Sequence, residues 1–468
     1  MVAKKGDNHI IVSKPRQDLI FSLAVLIFII TLLSDSLLSD VSQVIKEIII
    51  DEYRVLLFAT IAIVAAITGI IITFRDSGRI KMDIVSRNNA LNKFSRAVPT
   101  IQYISIGAFL IVLAQVIVSS QYSTPFPVAA LAVSWSAGTV ILSVMSYKLL
   151  QWYILDKKNS LVVMYLAATL IICFIFLSAA LPALVFILEA SPQTVNPQTI
   201  QQESFQANPQ DFATLIVFIA NMLVIPLSYF VWIATAIMLN RYSRKVGLLK
   251  YWVLLLAPLA SAVIGHIAIV FYLPSVGTIF DREIITYTMM AFGGMITEGF
   301  LLGLAFIIIS RSLGEAASSR IREYLSVSAR GIAILFVSFF ANPSAGAYPP
   351  FGLVSSSFLV LGAYLFFSGI YSSAISISLD SRLRQQLRST LDQSNLASIG
   401  MANLTHELEK KTTDLIKRHE HIIMSAPGPD SSTVESEMKK YVQEVVHELE
   451  IQRDKKNSAE SEGKEDLD

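Results

Sequence analysis

Apolar runs of about the length of a membrane crossing follow one another from residue 18 to residue 375. A helix needs about 20 residues to cross about 30 Å of hydrocarbon, and inside lipid its backbone must satisfy its own N–H and C=O groups. The runs at 18–38, 54–74, 98–119, 127–147, 161–188, 213–239, 250–274, 284–310 and 352–375 meet that length; 326–341 falls short. The expected fold is all-α, a polytopic helical membrane protein with about ten transmembrane helices. The short run begins beside Arg330 and stops at Asn342-Pro343. It is either a crossing, a half-span or a re-entrant segment, and a re-entrant segment would put the C-terminal tail on the opposite side.

The basic residues orient the spans. With ten crossings, Lys and Arg crowd into 1–17, 75–97, 148–160, 240–250 and 311–325, whereas the opposite loops hold only Lys46, Arg54 and Arg282. Positive residues stay in the cytoplasm, so both termini are expected there, with the body in the cell membrane. Arg382, Arg384 and Arg388 open the tail and favour the same side. Lys4, Lys5, Lys14 and Arg16 precede the first run, but no small-x-small cleavage site follows, so that run reads as a retained signal-anchor.

Composition divides the chain. The whole is 53% apolar and 16% charged, yet Lys, Arg, Asp and Glu concentrate after residue 375. Three parts are expected: a transmembrane domain at 1–375, a cytoplasmic helical hairpin at 376–453, and a disordered acidic tail at 454–468. A net charge of +1 gives no reason to expect a nucleic-acid partner. Cys173 is the single cysteine, forms no intrachain disulfide, and reads as packing. There is no HExxH, no metal-spaced cluster and no nucleotide-binding loop, so neither metal nor cofactor is expected.

Ionisable groups within spans are expensive and suggest function. His266, in SAVIGHIAIV, and Glu298, in GGMITEGFLLG, lie on consecutive antiparallel spans at depths that allow a hydrogen bond. They form either a proton or ligand site or a satisfied structural pair. Asn221, five residues before Pro226, is a further candidate for a polar interior. Pro182, Pro226 and Pro258 permit kinks, and Gly293, Gly294, Gly299 and Gly303 permit close helix approach. The stretch 342–350, NPSAGAYPP, is an irregular turn or a re-entrant element. The outer loop 190–212 is a polar connector or a cover over an outer cavity, and 39–53 reads as a short amphipathic surface helix.

Past the last run, Leu379, Leu383, Leu387 and Leu391 continue at four-residue spacing. Met401, Leu404, Leu408, Leu415 and Ile422 then form a heptad-like seam. SAPGPDSS at 425–432 interrupts it, and Val434, Met438, Tyr441, Val445 and Leu449 line a second helix. Two stripes bury better in a four-helix dimer than in a lone hairpin, so a homodimer through the tail is expected.

Residues 395–408, NLASIGMANLTHEL, resemble the phosphoacceptor box of sensor histidine kinases. The resemblance covers about 380–452 and implies the family's dimerisation hairpin. It places the phosphoacceptor on His406 and the adjacent acid on Glu407, with a separate histidine kinase or response regulator as partner. The family's proline after His-Glu is replaced by Leu408-Glu409-Lys410-Lys411, and no glycine-rich ATP-binding box follows residue 452. No autonomous kinase activity is expected of these residues. Two functional readings follow. One is a membrane sensor or signalling adaptor coupled to a degenerate kinase-like hairpin. The other is a secondary transporter of a small or hydrophobic solute with a regulatory tail.

Overall fold

The computed structural model describes residues 14–40, 50–84, 89–155, 160–189, 194–196, 212–240, 246–272, 282–312, 319–341 and 348–379. The chain divides into two units, Met1–Gly400 and Met401–Asp468, and all described residues belong to the first. The hairpin from residue 380 onward, His406, Glu407, the acidic tail and the residues of the surface helix from 41 to 49 lie outside them.

The apolar runs become helices in chain order: α1 (Lys14–Asp40), α2 (Asp51–Ile84), α3 (Asn89–Ser119), α4 (Pro125–Leu155), α5 (Ser160–Glu189), α6 (Phe212–Asn240), α7 (Leu248–Tyr272), α8 (Arg282–Ser312) and α9 (Ser319–Phe340). The last run divides into a short α10 (Leu353–Ser357) and α11 (Leu359–Leu379). Two dipeptide strands, β1 (Tyr122–Ser123) and β2 (Thr194–Val195), pair antiparallel, with Tyr122 opposite Val195. The result is an all-α polytopic membrane protein.

Sequence places the short run at 326–341, but α9 begins at Ser319. Its 22 residues reach about 33 Å at 1.5 Å each, enough to cross. It also runs antiparallel to both neighbours. Gly299 meets Phe336 and Gly303 meets Ala329 across α8–α9, while Leu335 meets Gly362 and Ser328 meets Gly369 across α9–α11. The segment is a full-length helix.

Among the described helices, α1 to α8 pack each on the next, and α8 returns to α1. Inside this succession sit α9 and α10–α11, packed along one another. Every residue from Leu353 to Ser373 is buried. Lipid offers no hydrophobic force between helices, so close backbone approach and hydrogen bonds must hold such a pair. Glycine supplies the approach: a methyl on Gly331 would collide with the Phe366 amide, and one on Gly362 would stand 2.7 Å from the Leu335 nitrogen. The rings of Tyr165 and Phe306 close on Phe366, and Trp135 and Phe176 close on Phe339.

α1 runs antiparallel to the last run, because Phe28 packs on Phe358 while Leu32 and Asp35 bond Ser355. The start of α1 and the end of α11 therefore lie at one end of the bundle, the terminal end. The loops carrying Tyr122, Thr194 and Tyr348 lie at the other, the loop end.

Candidate functional site

Helical hydrogen bonding fails where the chain reads Tyr348-Pro-Pro-Phe-Gly352. Pro349 and Pro350 have no N–H to donate, and Gly352 takes a left-handed conformation with φ 85° that favours glycine. α10 then lasts one turn and ends at Phe358, whose φ and ψ of −97° and 4° are not helical. A helix of this length leaves amides at one end and carbonyls at the other without internal partners. Away from water they need partners from elsewhere.

Those partners are side chains from three other helices. At the α10 N-terminus the Asp35 carboxylate, on α1, accepts from the Ser355 amide at 2.8 Å and the Ser355 hydroxyl at 2.8 Å. Both bonds fall on Oδ2. At the C-terminus, Ser134 Oγ of α4 donates to the Ser356 carbonyl at 2.6 Å, and Gln102 Nε2 of α3 donates to the Ser357 carbonyl at 3.1 Å. Asp35, Gln102 and Ser134 are each 0% exposed. Just above, Arg54 Nη1 of α2 donates to the Tyr348 carbonyl at 3.1 Å, and Arg54 also pairs with Asp51. The Tyr348 ring stacks on Tyr122 at 6.4 Å.

Below the break, Phe358 is the anchor. Its ring lies edge-on to Phe28 at 4.8 Å, approaches Phe109 at 6.1 Å, and lies over Gly69 of α2, where a side chain would overlap it. α10 is thus held by polar caps at both ends and by an aromatic socket beneath.

The two sequence candidates lie elsewhere, among α6, α7 and α8. Glu298 is 0% exposed and His266 6%. The hydrogen bond that their depths allow is not made, since neither carboxyl oxygen and neither ring nitrogen has a hydrogen-bond partner. Each instead faces α6. Ser228 stands beside the Glu298 carboxyl, outside hydrogen-bond geometry, and the Tyr229 ring lies 5.6 Å from the His266 ring. Asn221 belongs to α6, but its side chain is outside the described residues. Pro182, Pro226 and Pro258 all lie inside helices, as does Pro99.

A third polar group joins α2 to the middle of α9. Arg330 of α9 donates through Nε and Nη2 to the two carboxylate oxygens of Asp76 on α2, at 3.1 and 2.9 Å. Phe21 lies under the guanidinium at 5.3 Å. Among the described residues, no group of three His, Cys, Asp or Glu could hold a metal ion.

Sequence reasoning passed over Asp35, Gln102 and Asp76. Asp35 and Asp76 sit close to span ends, where a polar side chain is expected to find water. The available signal was the partner segment, since two prolines and a glycine at the head of an apolar run leave backbone groups stranded and call for donors and acceptors nearby.

Fold and polar interior together define a class, a multi-span helical membrane protein. No protein-family model matches the chain, and no curated protein or solved structure matches it either.

Proposed function

We propose that this protein is a membrane sensor or signalling adaptor whose interior helices pass a change to the cytoplasmic segment carrying His406. The supporting observation is the placement of α11. It leads directly by chain into that segment, is enclosed by other helices through Ser373, and begins at an interrupted helix held by side chains of α1, α3 and α4. A ligand, lipid or membrane condition that displaces any of those three helices alters the caps of α10. Rigid packing against α9 turns that local change into movement of α11, because packed helices shift between discrete arrangements. In this reading the loop end is extracytoplasmic, both termini are cytoplasmic, and the tail dimerises. His406 takes phosphate from a separate kinase or regulator, with Glu407 as proton acceptor.

The test uses the full chain in lipid nanodiscs and its His406→Ala form, each incubated with phosphorylated receiver domains and histidine kinases of the same host. Acid-labile phosphate on the parent and none on the substituted chain is the expected result. No label from any donor removes phosphotransfer from the reading.

A second reading, a secondary transporter, draws on the same interruption, because transporters place substrate sites at discontinuous helices. Uptake into proteoliposomes that is abolished by Asp35→Ala would favour it over signalling.

A further inference from the structure

We propose that Glu298 is a proton-carrying site of the membrane body, binding and releasing a proton between α6, α7 and α8. The proposal does not depend on the signalling reading, which concerns α10–α11.

The argument starts from the cost of a buried carboxyl group. An ionised carboxylate removed from water is tolerated when a counter-charge or several hydrogen-bond donors replace its hydration. Among the described residues the other buried carboxylates are better compensated: one oxygen of Asp35 accepts from both the Ser355 amide and hydroxyl, and both oxygens of Asp76 accept from the Arg330 guanidinium. Glu298 is as deeply buried as either, yet both its oxygens lack a hydrogen-bond partner.

The surrounding elements supply no compensating charge among the described residues. From α6 come Ser228, whose hydroxyl is also unpartnered, and Tyr229. From α7 the titratable group is His266, turned to Tyr229. From α9 comes Phe336, seated on the adjacent Gly299. Arg330 of α9 is taken by Asp76, and Asp35 of α1 is taken by Ser355. A metal cation would need a shell of oxygen ligands, and one carboxyl with one hydroxyl does not make one. A proton needs a single acceptor. Glu298 therefore holds its proton while α6, α7 and α8 are closed, and releases it when they part far enough to admit water.

Infrared difference spectroscopy of the full chain in lipid, titrated from acidic to alkaline pH, tests this. We expect the carbonyl stretch of a protonated carboxyl group to disappear as pH rises, and this band to be missing from Glu298→Gln and retained in Asp35→Asn. Ser228→Ala should shift its frequency, because the hydroxyl lies beside the carboxyl. Glu298→Asp supplies a displaced band if Glu298→Gln fails to fold, as judged from the amide bands. The proposal is overturned if folded wild type shows no pH-dependent carboxyl band that depends on residue 298. It is equally overturned if sodium abolishes the band at constant pH, which would assign the site to a metal cation.

Discussion

The Asp76–Arg330 pair ties α2 to the interior helix α9, and its geometry fixes what its removal should cost. Both hydrogen bonds are charge-assisted and bidentate, at 2.9 and 3.1 Å. Exposure is unequal: the Asp76 side chain is 0% exposed and that of Arg330 16%. Breaking a buried pair by removing one partner costs about 3–5 kcal/mol, chiefly because the other charge is left uncompensated. Arg330→Gln leaves the fully buried Asp76 stranded and should fall in that range. Asp76→Asn leaves an arginine that is partly exposed and long enough to reach a polar surface, so about 1–3 kcal/mol is expected. The double substitution Asp76→Asn/Arg330→Gln replaces both charges with neutral amides. It should be at least about 2 kcal/mol milder than the sum of the singles, about 30-fold in the unfolding constant. Denaturant unfolding of the four proteins in mixed micelles, followed by tryptophan fluorescence, measures the cycle. Additive effects, or an Arg330→Gln cost below about 1 kcal/mol, would refute the claim that this pair fastens α9 to α2.

Three further outcomes are expected. Gly331→Ala and Gly369→Ala should each destabilise by about 1–3 kcal/mol or more, because the added methyl meets backbone atoms of the opposite helix; Gly107→Ala, with nothing within 4 Å, is the neutral control in the same melts. Asp35→Ala should cost about 2 kcal/mol, at the upper end for an N-cap, and more than Asp35→Asn, whose side-chain carbonyl still accepts; hydrogen exchange at the Ser355 amide reports the loss directly. In a Cys173→Ala background, a cysteine at Thr194 should react with an impermeant maleimide added to whole cells, and one at Gly314 should not; the reverse pattern would invert the orientation read from the basic residues.

Much of this fold is legible in the sequence because lipid imposes one length and one secondary structure. All the apolar runs appear as helices, the last divided at Phe358, with ends shifted by up to ten residues. What the sequence hides is which helices touch lipid. The run at 326–341 looks short and weakly apolar for a crossing, with Ser328, Arg330, Gly331 and Ser338 within it. Hydropathy judges a span against hydrocarbon, and α9 does not face hydrocarbon: its surroundings are α8, α1 and α11. The same reasoning covers α11, where Gly362, Ser368, Gly369, Ser372 and Ser373 suit a protein neighbour better than a lipid one. Whether His266 and Glu298 bond each other is hidden for another reason. Depth along two helices is readable at 1.5 Å per residue, but rotation about each axis is set by packing, and here both side chains turn toward α6.

The interruption at Phe358 has consequences beyond its own hydrogen bonds. An unbroken helix from Phe351 to Leu379 would satisfy its backbone internally, making its position independent of Asp35, Gln102 and Ser134. The break transfers that satisfaction to side chains of α1, α3 and α4. Leu23, Leu26, Ile27 and Ile30 of α1 are exposed on its outer face, while Phe28, Leu32 and Asp35 turn inward. A sideways movement of α1 therefore pulls on the α10 amides through one carboxylate, and rotation of α3 pulls on the Ser357 carbonyl through Gln102. Since an unpaired buried backbone group costs about 1–3 kcal/mol, displacing α1 without α10 is resisted by the amides at that cap. The lower-energy course is for α10 to follow α1 rather than leave those amides unpaired.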